Sequence, residues 1–166
     1  AARIALWAPS SVQSLAASVM EKCEQWRPGD FLEAIAGAEL VGVAGRLAVE
    51  TAGTVAQAER CLHLVLQARS ADGGFSVRRG QEPGSVGTAL ALRALADLQR
   101  SVYVDPAVVV AGAEWLVRAQ SSNGYWSPEP TYLTDARWGS LENVNLPATA
   151  LAATAVAQVA PPTARQ

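Results

Sequence analysis

A recurring punctuation mark constrains this chain more than any other feature. The segment Gly112-Ala113-Glu114-Trp115-Leu116-Val117-Arg118-Ala119-Gln120-Ser121-Ser122-Asn123-Gly124-Tyr125-Trp126 closes with Gln120, three residues, Gly124, one residue, Trp126. Gln67, five residues, Gly73, one residue, Phe75 repeat that ending, and so do Gln25, three residues, Gly29, one residue, Phe31. A helical run precedes each glutamine, and an alanine-rich run follows each aromatic. A helix ends with unpaired carbonyls that a glutamine amide in the last turn can satisfy. The glycine permits the chain to reverse, and the aromatic buries a ring under the turn. Units of this kind hide one face only by stacking on the next.

Helix signals fill the spaces between these marks. Ser10 with Gln13 and Thr54 with Gln57 have capping-box spacing, and Asp105-Pro106 reads as an N-cap followed by a residue suited to the first helical position. Expected helices lie at 11–26, 32–50, 54–69, 86–100, 106–120 and 147–159. On the second, Leu32, Ile35, Ala36, Leu40, Val43 and Leu47 fall on one stripe; on the third, Val55, Ala58, Leu62, Val65 and Leu66 do. The runs after Thr88 and Thr149 are apolar nearly all round, as in helices covered on two sides, with Arg93 and Asp97 as an i,i+4 pair on the former. No segment alternates with a period of two, so no sheet is expected. The chain reads as all-α: an extension (1–10), three helical hairpins (11–53, 54–105 and 106–160) and a tail (161–166).

Composition narrows the function classes. The net charge is -2, and Lys22 is the only lysine, which argues against a nucleic-acid binder and against a polylysine patch for anionic lipid. Two cysteines, Cys23 and Cys61, are too few for a disulfide scaffold and read as reduced, half-buried thiols. No signal segment or membrane-spanning run is evident, so a cytoplasmic protein is expected. Abundant alanine and arginine suggest a bacterial coding sequence.

The pattern resembles the QW motif of the terpene cyclase and protein prenyltransferase superfamily, which includes squalene–hopene cyclase-like repeats. Gly112, Trp115, Leu116, Gln120, Gly124 and Trp126 match that motif throughout. Gln67, Gly73 and Phe75 keep its end, as do Gln25, Gly29 and Phe31. The resemblance implies alternating outer and inner helices curving into an α/α toroid-type repeat, here an open, partial toroid. An open arc leaves apolar end faces, so a homo-oligomer, docking on a larger protein, or pairing with the missing half of a toroid is expected.

The chemistry of that superfamily is not written here. Its class II cyclases protonate an alkene with Asp-x-Asp-Asp, which needs a protonated carboxyl beside a second acid. The corresponding positions are Gly84-Ser85-Val86-Gly87 and Asn145-Leu146-Pro147-Ala148. Its zinc-dependent prenyltransferases need converging aspartate, cysteine and histidine, whereas the sole histidine, His63, shares a helical face with Glu59 and not with Cys61. Its thioester-containing, complement-like members need Gly-Cys-Gly-Glu-Gln, and neither cysteine has that context. No metal and no cofactor is expected.

The connection 127–146 stands out by its length. Trp126, Tyr132, Arg137 and Trp138 are candidate ligand- or partner-binding residues, and Asp135 and Glu142 are the weak candidates for a general acid. The expected function is a non-catalytic prenyltransferase- or cyclase-like repeat module that binds a protein or an isoprenoid-like apolar ligand on its concave side. The competing expectation is a fragment or subunit of a terpenoid cyclase whose acid lies elsewhere.

Overall fold

The computed structural model describes residues 17–18, 21, 25, 27–46, 51–78, 80–126 and 152–157. Their architecture is all-α. The bounded helices are α1 (Phe31–Arg46), α2 (Ala52–Gln67), α3 (Ser85–Leu98) and α4 (Pro106–Ala119), and residues 152–157 are helical as well. Extended pairing among the described residues is limited to isolated bridges from Phe75 to Arg69 and to Gly84.

Each helix start has a local cause, though not always the expected one. α1 begins after Asp30, whose Oδ1 accepts the Glu33 amide at 2.9 Å, while Glu33 Oε2 reaches back to the Gly29 amide at 2.7 Å. Gln25, Gly29 and Phe31 are therefore not a third copy of the turn. Gly29 is not among the positive-φ glycines, and the Gln25 amide donates to Glu21 within its own segment. The stretch is a helix cap, with Phe31 as the first buried residue of α1. α2 starts earlier than its expected capping box. Thr51 Oγ1 accepts the Thr54 amide, and Thr54 Oγ1 accepts the Thr51 amide, so the cap is a reciprocal threonine pair. This releases Gln57 from capping, and it lies in the core. α4 begins as Asp105-Pro106 predicts, with Asp105 Oδ1 accepting the Ala107 amide at 2.9 Å. The expected box at Ser10 and Gln13 lies outside the described residues.

Contacts group the chain into two units. One comprises residues 1–67 and 94–104, the other 68–93 and 105–166. In the first, α1 packs on α2. The buried face of α1 is Phe31, Ala34, Ile35, Gly37, Ala38, Val41, Gly42 and Ala44. Among the described residues of the expected stripe only Ile35 lies on it: Leu32, Leu40 and Val43 are half-buried and Ala36 is exposed, and Leu47 lies outside the described residues. The small residues win because they permit the closest backbone approach, and the longer side chains flank the contact. α2 shows a similar shift, burying Thr54, Gln57, Ala58, Cys61 and Val65 while Leu66 is exposed.

Gly42 marks the tightest point of this unit. A Cβ placed there would lie 2.9 Å from Asp97 Cβ, with the Asp97 carboxylate closer still. That carboxylate takes Arg46 Nη1 at 3.1 Å, so Asp97 pairs across to α1.

In the second unit the core holds Ala89, Leu92, Leu116, Trp126, Ala152 and Ala155, with Val109, Ala113, Trp115 and Val156 packed against it. α3, whose residues 85–93 fall in the second unit and 94–98 in the first, is buried along most of its surface, leaving Arg93 and Ala96 exposed. This fits its alanine-rich, nearly unbroken apolar sequence.

Two helical glycines should separate packing from propensity. Gly42→Ala should destabilise the chain by about 1–3 kcal/mol, because Asp97 and its bond to Arg46 must move. Gly45, whose added Cβ would meet Arg100 Cδ at an ordinary 3.4 Å, should tolerate alanine or gain up to about 1 kcal/mol from helix propensity. Urea unfolding of both variants measures the contrast.

Candidate functional site

The turn between α2 and α3 is where the second unit's elements meet. Ser70, Ala71, Asp72, Gly73 and Gly74 reverse the chain, and Phe75 drops into the interior with no exposed surface. The reversal is closed by the Ser70 amide donating to Gly74 O at 2.9 Å and the Gly73 amide donating to Ser70 O at 3.1 Å. Gly73 has φ +96°, which favours glycine. The Asp72 carboxylate gathers three donors on its two oxygens: Ser70 Oγ, the Gly74 amide at 3.2 Å, and Trp115 Nε1 at 2.9 Å. Asp72 O accepts Arg118 Nη2 at 3.0 Å. α4 is thus tied to the turn at two of its residues. The approach is close, since a Cβ on Gly73 would lie 2.9 Å from Ala111 O and one on Gly74 would lie 2.6 Å from the Trp115 ring. These hydrogen bonds, that of Ser70 first and that of Trp115 next, hold the Asp72 carboxyl below the usual aspartate value.

Phe75 is held from its other side by α3. Its buried amide donates to Thr88 Oγ1 at 2.9 Å, and its carbonyl accepts the Gly84 amide at 3.1 Å. A Cβ on Gly87 would lie 2.6 Å from that carbonyl, so glycine is required for the helix to come this near. The Thr-Ala start of α3 therefore supplies the acceptor for the turn's buried N–H.

The turn after α4 repeats the first bond for bond. The Ser121 amide donates to Tyr125 O and the Gly124 amide to Ser121 O, both at 2.9 Å. Ser121 Oγ bonds Asn123 Oδ1 and Tyr125 O, and the Tyr125 amide donates to Asn123 Oδ1. Gly124 has φ +83°. Trp126 occupies the place of Phe75, 5% exposed, with Nε1 donating to Leu116 O at 2.8 Å. Gln120 caps α4 and its amide donates to Gly124 O at 2.9 Å. Position for position, Gln120 stands opposite Arg69 and not Gln67. The amide of Gln67 lies 2.9 Å from His63 Nε2. The five-residue gap after Gln67 arises because the glutamine falls inside α2, whereas Gln120 lies just beyond α4.

The described residues also bring one cysteine and one glutamine together. Gln57 and Cys61 share the inward face of α2, both without exposed surface. Gln57 Nε2 donates to Cys61 Sγ at 3.4 Å, and Gln57 Oε1 accepts Arg60 Nη2 at 2.8 Å. Both ends of the carboxamide are engaged. Cys61 is fully buried, deeper than the half-buried thiol the helical stripe suggests. The i,i+4 spacing of Gln57 and Cys61 carries this contact in the sequence, but the assignment of Gln57 to a cap hides it. The second cysteine, Cys23, lies outside the described residues.

Of the residues expected to bind a ligand or partner, Trp126 belongs to the core. Its ring is covered and its N–H is bonded to α4, so its role is in the packing of the repeat. Tyr132, Arg137 and Trp138, with the weak acid candidates Asp135 and Glu142, lie outside the described residues. No group of three or more His, Cys, Asp or Glu able to hold a metal occurs among the described residues. None of the described helices is long and apolar enough to cross a membrane.

Two contacts of the first turn can be tested directly. Thr88→Val removes the hydroxyl that accepts the buried Phe75 amide and should cost about 1–3 kcal/mol in chemical unfolding. Asp72 stabilises the folded state in its ionised form. That contribution is present above its unfolded value and is lost as the pH falls through the lower folded value. The stability gap between wild type and Asp72→Asn should therefore narrow on acidification through the carboxylate range. The side chain is exposed, so the gap should stay below about 1 kcal/mol; thermal melts across that pH series read it.

A family model described as the A-macroglobulin TED domain, the thioester-containing and complement-like domain, matches residues 40–163. No curated protein and no solved structure matches the chain. The match overturns the terpene cyclase and prenyltransferase resemblance, with it the expected prenyltransferase- or cyclase-like module and its isoprenoid-like ligand, and also the alternative of a cyclase fragment. The reason is visible in the turns. Gln, Gly and aromatic at these spacings record how a helical hairpin closes, with a positive-φ glycine and a ring beneath it, and that geometry specifies no particular chemistry. With the match covering most of its length, this chain belongs to the A-macroglobulin TED domain family.

Proposed function

We propose that this chain serves as a macroglobulin-type thioester-domain scaffold that acts through non-covalent packing, without a thioester of its own. A thioester stores acyl-transfer potential by joining a cysteine sulfur to a glutamine side-chain carbonyl, and it works only when a nucleophile can reach that carbonyl. The observation that carries the reading is the Gln57–Cys61 pair. It is the cysteine–glutamine contact among the described residues, it is fully buried, and its amide is occupied by Cys61 and Arg60. The sequence adds support. The family's chemistry requires Gly-Cys-Gly-Glu-Gln, in which the glutamine follows the cysteine by three residues. Cys61 is followed by Leu62, His63 and Leu64. Cys23 is followed at once by Glu24 and Gln25, one residue too soon, and stands before the stretch that matches the family model.

Methylamine, a small amine that opens thioesters, tests this on the whole chain. Intact mass should equal that of the sequence and should not change on treatment, and no new thiol should appear. Thiol titration should find Cys61 unreactive until the protein is denatured, since a buried sulfur is not accessible to the reagent. A mass short by one ammonia before treatment, with a thiol released by methylamine, would establish a thioester and defeat the proposal.

A further inference from the structure

Asn123-Gly124 is the only asparagine–glycine step in the sequence, and Asp72-Gly73 is the only aspartate–glycine step. They hold the same place in the two turns. The Gly73 and Gly124 amides donate to the carbonyls of Ser70 and Ser121, and the Gly74 and Tyr125 amides donate to the side chains of Asp72 and Asn123. Asparagine before glycine can react with its own main chain: the glycine nitrogen attacks the side-chain carbonyl carbon, and no β-carbon on the glycine hinders the approach. The two steps differ in how firmly they are held. At the first, Trp115 Nε1 binds the Asp72 carboxylate, Arg118 Nη2 binds Asp72 O, and a Cβ on Gly73 would lie 2.9 Å from Ala111 O. The peptide between Asp72 and Gly73 therefore cannot rotate without disturbing α4. The described bonds that close the second turn all come from residues 120–125. Asn123 is exposed there, and a Cβ on Gly124 would meet only the Gln120 amide, at 4.0 Å.

We propose that Asn123 is a site of self-modification in the folded chain, deamidated through attack by the Gly124 nitrogen, while the matching step at Asp72 is locked by α4. The new bond joins Gly124 N to Asn123 Cγ, and the side-chain nitrogen leaves as ammonia, taking the Gly124 proton. A five-membered imide remains. Water then adds to one of its two carbonyls and breaks that carbonyl's bond to Gly124 N. Opening at Cγ gives an ordinary aspartate; opening at the main-chain carbonyl gives isoaspartate, through which the chain runs one carbon longer. Either way an amide and a water become a carboxylate and ammonia, and the turn gains a negative charge. The attack needs only a local opening of exposed residues, which costs little. The first turn shows that the ordinary product fits, since Asp72 accepts Ser70 Oγ and the Gly74 amide as Asn123 accepts Ser121 Oγ and the Tyr125 amide. The imide, like a thioester, is lighter than the parent chain by one ammonia, but methylamine opens it without releasing a thiol, so the two are told apart.

Asp72→Asn places the same dipeptide in both turns of one chain, so each turn reports on itself with the same chemistry. The full-length variant is kept in mildly alkaline buffer, with and without denaturing urea, and deamidation at the two positions is followed by peptide mass spectrometry. In urea the two should react at similar rates. In the folded protein Asn123 should react at least about tenfold faster than position 72, because Arg118 and the contact with Ala111 hold only the first peptide. Equal rates in the folded protein would overturn the proposal, as would an Asn123 that reacts in urea and stays intact without it. If the variant does not fold, the wild type is read in the same way. It should deamidate at Asn123 while folded and form isoaspartate at Asp72 only in urea; isoaspartate at Asp72 in the folded chain would overturn the lock. Asn123→Asp, the ordinary product, should melt within about 2 °C of the wild type, and a larger drop would overturn the fit of that product.

Discussion

The main chain of Phe75 is the point on which the second unit depends. Its amide and carbonyl are buried at the close of a turn, where water cannot serve them, and an unpaired buried amide costs about as much as a lost hydrogen bond or more. Thr88 Oγ1 in α3 and the Gly84 amide just before that helix meet that requirement. The ring below and the glycines beside it then set how closely α3 and α4 can approach. Gly87 and Gly73 each meet a backbone carbonyl, of Phe75 and of Ala111, while Gly74 makes room for the side chains of Pro83 and Trp115.

Asp72 adds a connection of a different kind. It is exposed, so its electrostatic worth is small, yet it organises direction. One carboxylate oxygen closes its own turn, the other takes the indole N–H of α4, and its carbonyl takes an arginine from the same helix. Position is fixed by the short reach of these bonds, while stability comes from the covered rings and small aliphatic side chains around Leu92 and Leu116. In the first unit Asp97 plays a comparable part, joined to Arg46 and seated over Gly42.

The family match identifies a thioester-domain relative, and the cysteine–glutamine contact among its described residues is a buried hydrogen bond within one helix. Burial that protects a thiol from solvent also withholds it from an acyl acceptor. A helical scaffold can keep the glycine–aromatic turns, which its packing demands, independently of residues whose only use is reactive. The same separation explains why turn punctuation alone led toward cyclases and prenyltransferases: it reports how hairpins close and carries no reacting group.

The all-α class, the Asp105-Pro106 start, the burial of Phe75 and Trp126 and the enclosure of α3 were legible from the residues themselves. Each rests on local rules: cap chemistry, positive-φ glycine and an unbroken apolar circumference. Three other features required the folded chain. The buried face of α1 takes in Ala34, Ala38 and Gly42 beside Phe31, Ile35 and Val41 and leaves Leu32, Leu40 and Val43 half-buried, because close approach to a neighbour is a property of two elements together. Gln57 left its expected cap for the core because Thr51 was the better partner for Thr54. Asp72 meets Trp115, and Asp97 meets Arg46, only across long stretches of sequence. Spacing along one helix can say which residues share a face, but what that face meets is decided by packing.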